Sequence, residues 1–418
     1  MRMPLSRFCH HTRSTLLMSF ALGLCAALLS QIFLFNTADA RWHRKLSPRN
    51  HRTKTSTQQH SPSVTLKKLW TQPLEGRTLA GASSNTTHAF AATQEGNLYA
   101  FNGSTGEKAW QVNVGEPVSE TPLASDLLVI VGTEHGTLAA YHAHNGALAW
   151  KQTPHIAPYK GLPIEGLTSS HQNNNHHYIA SLYANGALFV WDKYTGKPIW
   201  KAFLNKPCKA PPVFSNNALY ASTMDGHIHA FQAQTGQPLW THEIDGPIFS
   251  QATVWNDKLL VPSGTGALFT LNANTGNFLW SYTERQGKPL LGQPGIIQDT
   301  ILVGSLSNRL GLVNGKLGFR TGEARITGGT ESAIITIGHT ALIQTTTGKI
   351  LAINQDGRIQ AKLSLPYYLK SNLIEQPIPN NSDYSSERKA QAKTTTRLFT
   401  TGQGGSLTAI ELSQPTSK

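Results

Sequence analysis

Cysteine is nearly absent from this 418-residue chain: there are three, and with Cys9 and Cys25 both in the first 40 residues, only Cys208 lies beyond them. Past residue 40, therefore, no intramolecular disulfide can staple the fold and no thiolate cage can hold a metal. Acidic residues are sparse as well, 23 against 36 lysines and arginines, and none falls between Arg41 and Val64. Long apolar runs are missing except for one, from Leu16 to Phe35. No Ser-His-Asp arrangement, glycine-rich phosphate loop or zinc-type cysteine spacing emerges. What remains must be stabilised by packing, and no residue stands out as a nucleophile or catalytic acid.

The apolar run follows Arg2, Arg7 and Arg13 and precedes Ala38-Asp39-Ala40, the pattern of an export signal with a small-residue cleavage site. Residues 1–40 are thus expected to be a signal peptide, or an uncleaved anchor, since about 20 apolar residues can also span a bilayer. Cys25 follows Leu24, which is too bulky for a lipoprotein signal. The next stretch, residues 41–63, carries six of the chain's positive charges, contains proline and reads as a basic disordered linker. The formal net charge of +13 falls to +11 past residue 40 and to about +5 past this linker. Such a mild balance in an exported chain argues against nucleic acid as a partner.

Residues 64–418 are organised by a repeat: Gly-x-Leu-x-Ala, a short spacer, Thr-Gly, three residues, then Trp. It occurs as Gly96, Leu98, Ala100, Thr105-Gly106 and Trp110, and recurs ending at Trp150, Trp200, Trp240 and Trp280. A sixth copy starts at Asn308-Arg309-Leu310, where Thr321-Gly322 is expected to turn after a four-residue insertion and Ile326 to replace the Trp. A seventh runs from Gly348 to a turn at Asp356-Gly357. An eighth, Gly405 to Ala409, meets the end of the chain without a fourth strand. Trp70 lies 40 residues before Trp110, so residues near 65–73 are expected to supply that strand. Repeats of this length with four short strands predict an all-β fold, an eight-bladed propeller of four-stranded antiparallel blades closed by an N-terminal outer strand in the last blade. Closure removes two strand edges. Along the second blade's third strand, Leu138 and Ala140 alternate with Ala139 and Tyr141, so both faces are apolar, as a sandwiched sheet requires. Blades splay outward, and a Trp on the outer strand can fill the widening gap, burying on the order of 200 Å².

These motifs resemble the pyrroloquinoline-quinone (PQQ)-type propellers over roughly residues 65–412, and within that superfamily the BamB family of outer-membrane β-barrel assembly propellers. The degenerate copies carry this closer likeness: Asn308-Arg309 in the sixth, Ile353 to Arg358 in the seventh, and a bare terminal strand. The resemblance implies a non-enzymatic scaffold, periplasmic and held at the outer membrane, without cofactor. It further implies protein partners: the periplasmic domains of a BamA-like barrel-inserting subunit and nascent outer-membrane proteins. The family presents Leu-Arg on one interblade loop and acids on the next. Here the first loop carries Leu204, Lys206 and Lys209, with no arginine, and the second carries Glu243 and Asp245; these five are the candidate partner-binding residues. Connecting loops carry exposed charge in any case.

Two alternatives stay open. A PQQ- and Ca²⁺-dependent dehydrogenase would need hard oxygen ligands and a carboxylate base, and no such set can be carried over. A periplasmic binding module of other purpose would use either rim. His227 and His229 share a strand face, and residues 171–177 are rich in His and Asn, but zinc wants ligands converging from separate elements, so the tract is expected to be a solvated insertion. Asn380 to Lys393 forms a second insertion.

Overall fold

The computed structural model describes residues 63–154, 161–170, 177–215, 217–367, 371–377 and 394–415. All fall within one compact unit, His60–Lys418. The expected leader and nearly all of the expected linker lie outside the described residues, as do residues 171–176 of the His-rich tract and the Asn380–Lys393 insertion.

The described residues form eight four-stranded antiparallel sheets, an eight-bladed β-propeller. Blade two shows the pattern: Leu123–Ala124 innermost, then Leu128–Gly132, Leu138–His142 and, outermost, Leu148–Gln152. Each blade is sandwiched by its neighbours, and the period-two alternation decides which neighbour each side chain meets. Leu138 and Ala140 pack with Ile179 and Ala187 of blade three. Ala139 and Tyr141 pack with Phe90 and Leu98 of blade one. Burial on both faces is why these strands lack the polar alternation of an exposed sheet.

The ring closes as expected. Thr65–Pro73 pairs antiparallel with Ser406–Gln414, placing Trp70 opposite Ala409, and completes the sheet begun by Ile374–Glu375 and Thr394–Gly402. Three of this blade's strands run to nine residues.

The tryptophans close seams between blades by a repeated contact. Each ring lies against the turn glycine of the following blade: Trp70 on Gly106, Trp110 on Gly146, Trp150 on Gly196, Trp200 on Gly236, Trp240 on Gly276 and Trp280 on Gly318. These glycines have φ between +66 and +77°, and a Cβ on any of them would fall within 2.8 Å of the ring. Glycine is needed twice over, for the left-handed turn and for the indole's seat. In five seams the indole N–H also donates to a carbonyl of the same turn, as Trp200 does to Ala233 at 2.8 Å and Trp240 to Ala273 at 3.1 Å. Trp280 Nε1 is buried without an acceptor.

Blade six corrects the sequence reading. Its outer turn is Asn314–Gly318, with Gly318 at φ +77°, and no insertion separates its third and fourth strands, Arg309–Asn314 and Arg320–Arg325. Thr321 and Gly322 lie inside the outer strand. Gly322 pairs with Leu312 as Trp280 pairs with Thr270, so Gly322, not Ile326, stands at the tryptophan position. The reason is the seam: the waiting Trp280 needs a glycine four residues after Asn314, and only Gly318 meets it. Ile326 instead sits past the strand end, donating its N–H to Asn308 O at 3.0 Å.

Candidate partner-binding face

Antiparallel strands put two kinds of loop on one face of the ring: those leading from an outer strand to the next blade, and the turns joining second to third strands. Residues 204–212 join blade three to blade four, whose strands are Val213–Ser215, Ala218–Ser222, His227–Gln232 and Pro238–Glu243. Residues 244–252 lead on to blade five. All five candidate residues therefore lie on this face or at its edge, but they play different parts.

Leu204 points inward. Its N–H donates to Gly186 O at 2.9 Å, as Val114, Ile244 and Leu365 donate to the glycines opening their own third strands. All four side chains are buried, and Leu204 packs with Leu188, Cys208 and Phe214. It shapes the loop from below.

Lys206, Lys209, Glu243 and Asp245 are exposed. Lys206 Nζ lies 3.0 Å from Asp225 Oδ2, and His227 Nδ1 lies 3.1 Å from Asp225 Oδ1. The far side of the same imidazole, Nε2, is 3.8 Å from Glu243 Oε2. Asp225 also accepts from Thr223 Oγ1 at 2.5 Å, and this bond, with Lys206 and His227, holds its carboxyl well below the usual range. Lys206 and Glu243 thus end one chain of polar contacts. No hydrogen bond engages the Asp245 carboxylate among the described residues.

Nearer the axis, Lys209 Nζ lies 2.7 Å from Glu165 Oε2 on the innermost strand of blade three, Ile164–Ser169. Glu120, in the loop entering blade two, is closely surrounded by protein although part of its surface is accessible. Desolvation, and then the charge of Glu165, push its carboxyl up to about 8, against the opposing pull of Lys209. Glu120, Glu165 and Asp225 were not legible as site residues, because each acquires its partner from a neighbouring blade or turn.

The single cysteine of this region is inert. Cys208 is buried, and desolvation pushes its thiol up to about 12. His227 and His229 stack with centroids 6.2 Å apart, and His229 Nδ1 faces Thr241 Oγ1 at 3.2 Å. Among the described residues, no group of three or more His, Cys, Asp or Glu side chains is placed to hold a metal ion.

The fold and repeat define the chain as a PQQ-type propeller. Residues 64–172 and 184–364 match the family described as outer membrane protein assembly factor BamB, and the chain belongs to that family. Among curated relatives, BamB of Shewanella oneidensis is 24% identical over 163 residues, covering 36% of this chain and 40% of the relative. BamB of Yersinia pestis is 30% identical over 70 residues, 17% of this chain and 18% of the relative. The matched stretches thus span less than half the length of these relatives. Among solved structures, BamB from Moraxella catarrhalis superposes with a TM-score of 0.64 at 19% identity, covering 83% of this chain and 99% of that one. The quinohemoprotein alcohol dehydrogenase of Comamonas testosteroni reaches 0.65 at 11% identity, covering 84% and 77%. At such identities the structural likeness shows the fold alone.

Proposed function

We propose that this chain is a non-enzymatic periplasmic scaffold that assists assembly of outer-membrane β-barrel proteins, using its loop face to bind the periplasmic domains of a BamA-like barrel-inserting subunit and nascent outer-membrane proteins. Family membership supports the process, and the exposed row of polar contacts Lys206–Asp225–His227–Glu243 carries the choice of face. Its terminal groups are exposed, and exposed ion pairs contribute only about 0–1 kcal/mol. A partner's carboxylates can therefore displace Asp225 and Glu165 from the two lysines at little cost. Its cations can meet Glu243 and Asp245. Leu204 enters this reading only as the buried support of the loop.

The export signal and linker belong to the same proposal, delivering the propeller to the periplasm and tethering it. The test is co-purification with the barrel-inserting subunit, detected by a specific antibody. Replacing Lys206 and Lys209 together by Gln is expected to lower recovery roughly tenfold while lowering the melting temperature by no more than about 2 °C. Undiminished recovery would exclude this face. The dehydrogenase reading has its own test: calorimetry with PQQ and Ca²⁺, where tight binding would replace the scaffold with an enzyme.

A further inference from the structure

On the opposite face, where Thr-Gly turns cluster, a cleft of 280 Å³ opens at the seam between the last blade and the first. It is lined by Thr86 and Ser104 of blade one and by Gln376, Thr395, Arg397 and Glu411 of blade eight, with Thr396 and Pro377 completing the wall. Here two ends of the chain nearly 300 residues apart meet.

Arg397 is held firmly. Its Nη1 donates to Gln376 Oε1 at 2.8 Å and to Ser104 Oγ at 3.1 Å, across the seam. Gln376 is pinned in turn, donating through Nε2 to Thr86 O at 3.1 Å and Asn85 O at 3.3 Å. Yet Arg397 Nε is buried with no acceptor, and among the described residues no hydrogen bond engages Nη2 and no carboxylate pairs with the guanidinium. An arginine whose Nη1 is fixed by neutral oxygens keeps its Nε/Nη2 edge for another group. That edge matches the two oxygens of a carboxylate or phosphate in a parallel pair of bonds. Buried N–H groups seldom go unpaired, so an orphan beside a cleft points to an absent acceptor.

The surroundings agree on sign. Strand register puts Glu411 between Lys67 and Arg397 on one face of the blade, a row of two cations and one anion. Because Ser104 Oγ accepts from Arg397, its own hydrogen is free to donate, and the hydroxyl of Thr395, on the same strand face as Arg397, carries no hydrogen bond among the described residues. Thr86 is less available, since its hydroxyl donates to Asp126 at 2.9 Å. The space equals about nine waters of liquid volume, enough for a small organic acid or phosphate ester.

We propose that this seam cleft is an anion site that binds the carboxylate or phosphate group of a small ligand through the free edge of Arg397, with Ser104 and Thr395 as hydroxyl donors. The site lies on the face away from the partner loops and does not depend on the scaffold reading. It is tested with the full chain at constant ionic strength, titrating sodium acetate or inorganic phosphate against chloride. The readouts are the unfolding midpoint and titration calorimetry. The parent should show a saturable response, and Glu411→Gln, which removes the competing carboxylate, should tighten it about fivefold. Arg397→Gln should abolish it. Saturation by acetate alone names a carboxylate ligand, and by phosphate alone a phosphate ligand. A response no larger than that of chloride in both the parent and Glu411→Gln would overturn the site, as would one that Arg397→Gln retains.

Discussion

Six of the eight seams in this ring are closed by an indole and two are not, and the difference shows what the repeat needs in order to work. From blade eight around to blade six, an outer-strand tryptophan rests on the next blade's turn glycine. Between blades six and seven the equivalent residue is Gly322, and the facing turn, ending at Gly357, is one residue shorter than that ending at Gly106. Leu312 and Ala324 fill the gap, lying within 3.0 Å of where a Gly357 Cβ would be. Between blades seven and eight the position is Ala361, paired with Ala352. No turn glycine can face it, since the outer strand of blade eight comes from the far end of the chain. That seam is sealed by length: Val64, Leu66, Leu398, Ile410 and Leu412 pack over Ala361 and Leu363, and Gln414 Nε2 donates to Ile337 O at 2.9 Å. An indole clasp and an extended strand are two solutions to the same widening gap.

Removing the strand solution should do the most damage. Deleting residues 64–74 strips the outer strand of blade eight, exposes a strand edge and removes Trp70 from its seat, so the unfolding midpoint should fall by more than roughly 10 °C. A melt that matches the parent would refute closure. Removing a single clasp comes next: Trp150→Ala or Trp240→Ala is expected to cost about 3–5 kcal/mol by denaturant titration. Leu312→Ala, at the seam without a tryptophan, should cost about 2–5 kcal/mol, mostly in the same range because it fills the equivalent space.

A subtler comparison separates the indole's bulk from its hydrogen bond. Trp240→Phe leaves the Ala273 carbonyl without its indole donor and should lose about 1 kcal/mol more than Trp280→Phe, whose N–H has no acceptor to lose. Equal losses would show that the bond contributes nothing. A pH-dependent effect belongs to the inner rim. Because Glu120 holds its proton up to about 8 in the folded chain, the native state binds more protons than the unfolded state between the ordinary carboxylate range and that value. Stability should therefore decline as pH rises from 5 to 8. Glu120→Gln should flatten that decline, melting a few degrees above the parent at pH 8 and level with it at pH 5.

Much of the architecture was legible because a propeller is written in local signals. A glycine followed by alternating apolar residues, a Thr-Gly turn and a Trp each act within a few positions, and their recurrence counted the blades. The spacing from Trp70 to Trp110 even located the closing strand, observed at Thr65–Pro73. Where the local signal was ambiguous the reading slipped: Gly315, Gly318 and Gly322 all offered turns in blade six, and only the position of Trp280 on the preceding blade selected Gly318. The candidate face was legible as a pair of loops but not as a set of contacts. Leu204 looks like its charged neighbours in sequence, yet its backbone bond to Gly186 turns it into the core.

Sequence alone determined the number of sheets, their alternation and the residues that close most seams, because those follow from backbone preference and period-two patterning along one strand. The rotation of each sheet against the next decided which charges meet. It brought Lys209 to Glu165, set Glu120 beside them, and carried Arg397 across to Ser104. Such pairings join blades tens or hundreds of residues apart, and no local rule can encode a distance that exists only once the ring has closed.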